Sequence, residues 1–410
     1  MVYIIKKDGT KEEFDANKIK RAVNKSAGRV MYRFTDDEIN FICKYATDRA
    51  EAMSRERKGG KIMIQDMHNI VEGALEQVNP AVAKSYRDYR NYKVDFIHMM
   101  DEVYTKSQSI RYIGDKSNAN TDSALVATKR SLIFNELNKE LYRKFFMNRN
   151  ELQACKDGYI YIHDQSARLD TMNCCLFDVG SVLRGGFEMG NVWYNEPKTL
   201  DTAFDVMGDI ILSTAAQQYG GFTVPEVDKI LSPYAQKSYN KYYEEFLKYS
   251  DPSWEGREEK GRVYAWEKVC RDCDQGWQGI EYKLNTVGSS RGDYPFVTVT
   301  LGLGTGRFEK MISKSLLKVH MGGQGKAGHK KPVLFPKIVF LYDEEIHGDG
   351  KECEDVFEAG VACSAKTMYP DWLSMSGQGY ISSMYKKYKK VISPMGCRAF
   401  LSPWYERGGM

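Results

Sequence analysis

The chain has 410 residues, of which 42% are hydrophobic and 28% charged, and its formal net charge is +4. These values are ordinary for a globular protein of two or three domains, and the small, interspersed charge gives no reason to expect a nucleic-acid partner. The first residues lack a signal-peptide core and no apolar run reaches the roughly 20 residues of a membrane helix, so we expect a cytoplasmic protein without a membrane anchor. Nine cysteines, an odd number spread over a long chain, do not indicate a disulfide framework.

The first 95 residues predict a small domain that is mostly helical. Asp15 or Asn17 can cap the first helix, and Asn79-Pro80 breaks a later one. Alternation and helical spacing of the apolar residues predict, in chain order, short strands at 3–5 and 12–14 and helices near 36–54, 63–78 and 81–94.

The remainder of the chain predicts a linker followed by an α/β domain. Residues 96–125 are polar and read as a linker or irregular loop. From residue 126 onward, helices alternate with short apolar strands, which is typical of a largely parallel sheet. The clearest of these elements are helices at 199–218 and 232–248 and strands at 159–162, 296–301 and 338–342.

Lysines surround the start of the first helix. Lys6 and Lys7 lie on the turn between the two strands, and Lys18 is in the helix's first turns. Backbone N–H groups and lysines that converge at a helix N-terminus can hold a phosphate. A solvated charged turn is the alternative interpretation of the same pattern.

Several residues of the predicted α/β domain are candidates for a functional site. His163-Asp164 ends a predicted strand, where site residues are common, although a structural hydrogen-bonded pair has the same pattern. Cys174-Cys175 places two thiols in an apolar setting, which is also compatible with two inert buried cysteines. Cys270 and Cys273 form a lone CxxC that supplies only two ligands, so we expect no metal site. Cys397 follows a short apolar stretch and is flanked by glycine and small residues, which suits a reactive thiol at a loop tip.

The order of motifs in residues 1–95 resembles an ATP-cone domain, a small helical nucleotide-binding module. The motifs in order are Ile5 to Gly9, Glu13 to Asp15, Lys18-Ile19, Ala22-Val23, Asp66 to His68, Ile70 to Glu72 and Tyr86 to Arg90. The resemblance implies ATP or dATP as an allosteric effector, held by Lys6, Lys7, Lys18 and His68. Lys7 stands where the family often has arginine, which keeps the charge but loses the planar fork of the guanidinium.

The later segment resembles the N-terminal part of an anaerobic (class III) ribonucleoside-triphosphate reductase. The motifs that carry the resemblance occur in family order: Asn173-Cys174, Gly185 to Asn191, Tyr219 to Gly221, Asn285-Thr286, Pro295-Phe296, Leu334 to Lys337, Met368 to Asp371 and Met395 to Arg398. The implied fold class is α/β, a mostly helical cone followed by part of a ten-stranded α/β barrel of two antiparallel halves, with a finger loop through its centre. The implied domains are a cone at 1–95, a linker at 96–125 and a partial barrel at 126–410.

The resemblance also implies roles for individual residues. Cys397 would carry a thiyl radical that takes the 3′ hydrogen of a ribonucleotide, and Cys174 would supply reducing hydrogen when the 2′ hydroxyl leaves as water. Formate is the implied final reductant, with a redoxin as the alternative, and the enzyme is expected to be a homodimer. Further candidates are Met395 and His163 in the catalytic cavity, Asn285, Arg291 and Lys337 for substrate, and Asn195, Lys198 and Asp209 for the specificity effector.

Two family features are not in this sequence. We find no Arg-Val-Ser/Thr-Gly motif for the glycyl radical, and no four-cysteine zinc site. We therefore expect both in a C-terminal part, supplied by a second polypeptide or lost by truncation, and a radical-SAM activating enzyme as partner. The chain alone is expected to be inactive. The alternative function is that of a non-catalytic regulatory protein that binds ATP or dATP.

Overall fold

The computed structural model describes residues 2–6, 9–57, 60–113, 125–168, 174–286, 292–395 and 400. The chain divides into two compact units, Met1–Thr105 and Lys106–Met410. Within the described ranges, no helix is both long enough and apolar enough to cross a membrane.

The first unit is mostly helical, as predicted. Thr35 and Glu38 form a capping box at the start of α2, and Asn79 Oδ1 accepts the N–H groups of Ala81 and Val82 at the start of α4. A small sheet has the order β2-β1-β3, with β1 antiparallel to β2 and parallel to β3. The elements are β1 Tyr3–Ile5, β2 Lys11–Glu13, α1 Ala16–Arg29, α2 Asp36–Glu56, β3 Lys61–Met63, α3 Ile64–Val78 and α4 Pro80–Ile113.

Helix α4 is much longer than the sequence predicts. It runs through residues 96–113, which we expected to be irregular because they are polar. Met99 and Val103, four residues apart, are nevertheless both buried, at 7% exposure. This i, i+4 spacing is the signature of one helical face, and the polar residues around it conceal the pattern.

The second unit contains a five-stranded parallel sheet with the order β10-β9-β8-β7-β4, a separate hairpin of β5 and β6, and many helices. The mixed α/β class with a parallel sheet is confirmed. The elements are α5 Val126–Phe145, α6 Arg149–Lys156, β4 Cys175–Leu176, α7 Val179–Leu183, β5 Phe187–Met189, β6 Val192–Tyr194, α8 Leu200–Ala216, β7 Phe222–Val224, α9 Val227–Tyr249, α10 Arg257–Thr286, β8 Val297–Leu301, α11 Arg307–Gly322, β9 Lys337–Tyr342, α12 Glu344–His347, α13 Glu354–Thr367, β10 Asp371–Ser374 and α14 Tyr380–Tyr388.

The two faces of this sheet differ in chemistry because successive residues of a strand point to opposite faces. Phe222, Val224, Val297, Val299 and Leu301 belong to the main hydrophobic core, together with residues of α8 to α11. The alternate positions of β7 and β8 carry threonine. The core therefore covers one face of the sheet and leaves a polar row on the other.

The predicted strand at 159–162 is wrong. These residues form no strand, and the side chains of Tyr159 and Tyr161 are 83% and 86% exposed. Aromatic and β-branched residues favour strands only where they can pack on a half-buried surface, and no such surface covers these two. His163 consequently does not lie at the end of a strand.

Candidate active site on the threonine face

The threonine face is the side of the parallel sheet that carries Thr223, Thr298 and Thr300. Leu176 of β4 pairs with Thr223 of β7, which pairs with Thr298 of β8, which pairs with Lys337 of β9. Side chains at paired positions of parallel strands share a face. One row across four strands thus presents an apolar group, two hydroxyls and an ammonium. Thr223 and Thr298 are almost fully buried.

Residues 393–395 lie against this face. The Thr223 hydroxyl donates a hydrogen bond to the Pro394 carbonyl at 3.1 Å and lies 3.9 Å from Met395 Sδ. The Thr300 and Ser393 hydroxyls are 3.4 Å apart. Ser393 and Met395 are buried. The chain that leads to Cys397 is therefore fastened to the middle of the sheet.

Cys397 itself lies outside the described residues. Pro394 and Phe400, which precede and follow Cys397 in the chain, form an isolated antiparallel bridge. This bridge joins the two ends of the segment that contains Cys397. The structure thus describes the anchor of the predicted catalytic thiol, and the thiol's own position stays a prediction.

Cys174 and Cys175 have different surroundings. The Cys174 sulfur accepts the Gly221 N–H at 3.2 Å, at the start of β7. Cys175 pairs in register with Phe222 and packs against the main core on the other face. Its thiol donates to Gln218 Oε1 at 2.9 Å, and burial, with a smaller contribution from Cys174, raises its pKa to about 11. Cys175 is therefore a protonated, structural thiol at neutral pH.

The structure gives Asn285 another role than substrate binding. Its Nδ2 donates to the carbonyls of Glu281 and Phe335 at 2.7 and 2.6 Å, and its Oδ1 accepts the N–H groups of Leu334 and Phe335 at 3.1 Å each. These four hydrogen bonds use the whole capacity of an amide side chain. Asn285 thus fixes the loop before β9 and has no donor or acceptor left for a ligand.

The other substrate candidates are Arg291 and Lys337. Arg291 lies outside the described residues. Lys337 is at the end of the row on the threonine face, where its Nζ lies 4.3 Å from the centroid of the Phe296 ring. An ammonium at this position can attract an anionic ligand to the polar row.

His163 lies on an exposed segment rather than in a cavity. Its side chain is 77% exposed, and its Nδ1 is 2.6 Å from Asp164 Oδ1. The Tyr161 ring packs edge-on against it. These contacts fit the structural interpretation of the His-Asp pair, so we leave His163 out of the proposed active site.

The predicted effector residues surround the hairpin of β5 and β6. Asn195 and Lys198 follow β6 and are exposed, while the half-buried Asp209 of α8 lies 3.5 Å from the Tyr194 hydroxyl. Glu196, which we did not single out from the sequence, accepts the Gly185 N–H at 3.0 Å and pairs with Lys237 at 2.5 Å. The bond to Lys237, followed by the Gly185 bond, lowers the pKa of Glu196. Glu196 thus links the segment before β5 to Lys237 of α9.

In the first unit, Lys6 and Lys18 converge on one anionic group, the carboxylate of Glu12. Lys6 Nζ is 2.8 Å from Glu12 Oε2, and Lys18 Nζ contacts Oε1. Hydrogen bonds from Lys18 and then from Lys6 lower the pKa of Glu12 to about 2. Lys7 lies outside the described residues.

His68, the fourth cone candidate, is in α3. Its Nδ1 is 2.8 Å from the hydroxyl of Tyr86 in α4. Burial raises the pKa of Tyr86 to about 12, so its hydroxyl stays protonated and can donate to the imidazole. The pair joins the two helices.

The threonines are the site residues that the sequence analysis missed. A signal existed, because the segment Val297–Leu301 alternates valine or leucine with threonine. We interpreted it only as an apolar strand. Strict alternation predicts a second, polar face, and the candidate site lies on that face.

Two family models together match most of the chain. Residues 117–410 match the family model described as anaerobic ribonucleoside-triphosphate reductase, and residues 2–94 match that of the ATP cone domain. The anaerobic ribonucleoside-triphosphate reductase of Haemophilus influenzae is 32% identical over 416 residues, covering 99% of this chain and 56% of that relative. That of Enterobacteria phage T4 is 36% identical over 296 residues, covering 71% of this chain and 46% of that relative.

The chain thus spans about half the length of the curated relatives it matches. A crystal structure of the anaerobic ribonucleotide reductase from Thermotoga maritima with glycerol in the active site is similar at a TM-score of 0.48 and 15% identity, over 70% of this chain and 50% of that one. From the family match over residues 117–410, this chain belongs to the anaerobic ribonucleoside-triphosphate reductase family, with an ATP cone domain at its N-terminal side.

Proposed function

We propose that this chain carries the reactive thiols of an anaerobic ribonucleoside-triphosphate reductase and reduces ribonucleoside triphosphates when a glycyl-radical polypeptide completes it. The observation that carries the proposal is the meeting of two segments on the threonine face. Cys174 lies two residues before Leu176, which pairs with Thr223, and the Thr223 hydroxyl holds Pro394, three residues before Cys397.

The chemistry assigns each thiol one task. A glycyl radical, installed by a radical-SAM activating enzyme, would take the thiol hydrogen of Cys397 and leave a thiyl radical on its sulfur. This thiyl radical would abstract the 3′ hydrogen of the substrate, a reversible step because the S–H and C–H bonds are similar in strength. The hydrogen would return to the 3′ carbon at the end of the turnover, so the radical is not consumed. Cys174 provides hydrogen as the 2′ hydroxyl leaves as water, and formate supplies the two electrons and is oxidised to carbon dioxide.

The surroundings of these residues suit radical chemistry. The Gly221 N–H, just before β7, fixes the Cys174 sulfur, and Thr223 of β7 fixes the backbone before Cys397, so residues two positions apart would hold both thiols. Met395 is buried against Thr223 on this face. Holding reactive groups in place lowers the entropic cost of the reaction.

Regulation by nucleotides is part of the proposal. Lys6 and Lys18 meet at one carboxylate, which supports a phosphate site for ATP or dATP in the cone. The hairpin of β5 and β6 with Asn195, Lys198 and Asp209 is proposed as the specificity-effector region. We further propose that the enzyme acts as a homodimer in the cytoplasm.

The test is anaerobic reduction of CTP by this chain with the activating enzyme and formate, with and without a glycyl-radical polypeptide. We expect activity only when that polypeptide is present. No activity in either mixture, together with ATP or dATP binding in calorimetry, would instead favour a regulatory nucleotide-binding protein.

The two adjacent cysteines provide matched variants for this assay. Cys174→Ala should abolish CTP reduction, since it removes the reducing thiol. Cys175→Ala should keep most of the activity because that thiol faces the main core. Cys397→Ala should also be inactive while ATP binding stays unchanged. Equal activity of the Cys174 and Cys175 variants would contradict the assignment.

A further inference from the structure

One buried hydroxyl on the threonine face forms no hydrogen bond with the described residues. Thr298 is 1% exposed, and its Oγ1 has no hydrogen-bond partner among the described residues. Buried polar side chains are nearly always hydrogen-bonded, because burial without a partner costs the full free energy of desolvation. A buried hydroxyl without a partner therefore lowers the stability of the protein, and its presence needs a functional or structural explanation.

The neighbouring threonines show the contrast. Thr223 donates to the Pro394 carbonyl, and Thr300 accepts the Glu226 N–H at 2.8 Å and lies beside the Ser393 hydroxyl. Both hydroxyls therefore have hydrogen-bond partners within the protein itself. Thr298 lies on the same face, in register with Thr223, and valine would fill the same space without the cost. Packing alone does not explain a threonine at this position.

The surroundings of Thr298 indicate the chemistry of its missing partner. Its neighbours in the row are the Thr223 hydroxyl and, on the other side, Lys337. Adjacent strands are about 4.8 Å apart, so a ligand that contacts Thr298 lies within reach of the Lys337 ammonium. A neutral hydroxyl, which both donates and accepts, suits a neutral hydroxyl group of the ligand, and the ammonium suits its anionic part.

We propose that the Thr298 hydroxyl hydrogen-bonds a ribose hydroxyl of the bound nucleotide and acts as a positioning residue for the substrate sugar. This inference rests on the proposed function and adds a residue to it. Before the sugar binds, the Thr298 hydroxyl has no hydrogen-bond partner among the described residues, so it lowers the stability of the free protein. Such a cost is typical of functional sites.

The experiment compares Thr298→Val, which replaces the hydroxyl by a methyl group of similar shape, with Thr298→Ser, which keeps the hydroxyl. Calorimetry with CTP uses the chain together with the glycyl-radical polypeptide, and thermal unfolding is measured without nucleotide. We expect the valine variant to bind CTP about 3- to 10-fold more weakly, as for the loss of one hydrogen bond. Its melting temperature should be equal to or above that of wild type, and serine should restore binding.

A nucleotide that lacks the 2′ and 3′ hydroxyls tests whether weaker binding by the valine variant comes from the loss of this one hydrogen bond. Wild type and the valine variant should bind 2′,3′-dideoxy-CTP equally, because neither can form the bond. Equal binding of CTP itself by the two proteins would overturn the role of Thr298 and leave the proposed function intact. A lower melting temperature of the valine variant would also overturn it, since the hydroxyl would then have a structural partner. Absence of CTP binding by wild type would count against both proposals.

Discussion

At the scale of single residues, His347 is a buried histidine that the fold uses in its neutral form. It is fully buried, its Nδ1 accepts the Asp343 N–H at 2.9 Å, and its Nε2 therefore carries the proton that it donates to the Gly302 carbonyl at 2.8 Å. Burial lowers the pKa of His347 below its ordinary value of 6.5, against the opposing effect of the Gly302 and Asp343 carbonyls and of the Asp343 charge.

This shift predicts a pH dependence of stability. Unfolded His347 binds a proton near pH 6.5, whereas the folded protein binds it only at lower pH, so the unfolded state takes up more protons in between. The contribution of His347 is therefore complete above pH 6.5 and is lost as the pH falls below it. Urea unfolding at pH 7.5, 6.5 and 5.5 measures the effect. His347→Gln should flatten the dependence, and His98→Gln, on an exposed part of α4, should leave it as in wild type.

At the scale of elements, α8 and α10 pack closely because one position of α10 has no side chain. A Cβ added to Gly276 would lie 2.1 Å from Phe204 Cδ2, and the Phe204 ring packs edge-on against Trp277 at 5.0 Å. Phe204 is 3% exposed and belongs to the main core. Gly279, one turn further along α10, has nothing within 4 Å of an added Cβ.

The two glycines make a matched pair of variants. Gly276→Ala should lower the free energy of unfolding by about 1–3 kcal/mol, because Phe204 must leave its place in the core. Gly279→Ala should raise it by about 0.5–1 kcal/mol, since alanine favours a helix over glycine. Urea unfolding of both variants checks the prediction. A stable Gly276→Ala variant would mean that α8 and α10 are further apart than described.

In the first unit, the carboxylate of Glu12 on β2 occupies the position that we propose for a phosphate of the bound nucleotide. Glu12 must release Lys6 and Lys18 before a phosphate can take its place. Glu12→Gln removes the competing charge and should tighten ATP binding about 2- to 10-fold, the range expected for exposed ion pairs. Calorimetry measures the change, with Glu13→Gln as the control. Weaker ATP binding by Glu12→Gln would show that Glu12 supports the site instead.

At the scale of the whole molecule, the sequence was most informative where periodicity was strong. The strands at 297–301 and 337–342 are continuous apolar or alternating runs, and the structure places both within the parallel sheet. Long helices such as α2, α3 and α8 were predicted nearly to their ends, whereas α9 begins at Val227, before the predicted start at 232. These elements follow from local spacing, which a single sequence contains.

The predictions failed where the outcome depends on residues far away in the chain. Asn285 looked available for a ligand, but its four partners include backbone groups about 50 residues later. Thr298 stood out only after strand register placed it between Thr223 and Lys337. Register and hydrogen-bond saturation arise from tertiary packing, so no local pattern predicts them.

The order of strands in the parallel sheet has a consequence for synthesis. β4, β7, β8, β9 and β10 lie side by side in the same order in which the ribosome makes them. Each strand can therefore dock on the edge left by the one before it, without opening a pair already formed. Residues 393–395, which rest on Thr223 and Thr300, leave the ribosome after the last of these strands. The strands that hold residues 393–395 can thus be in place before those residues emerge.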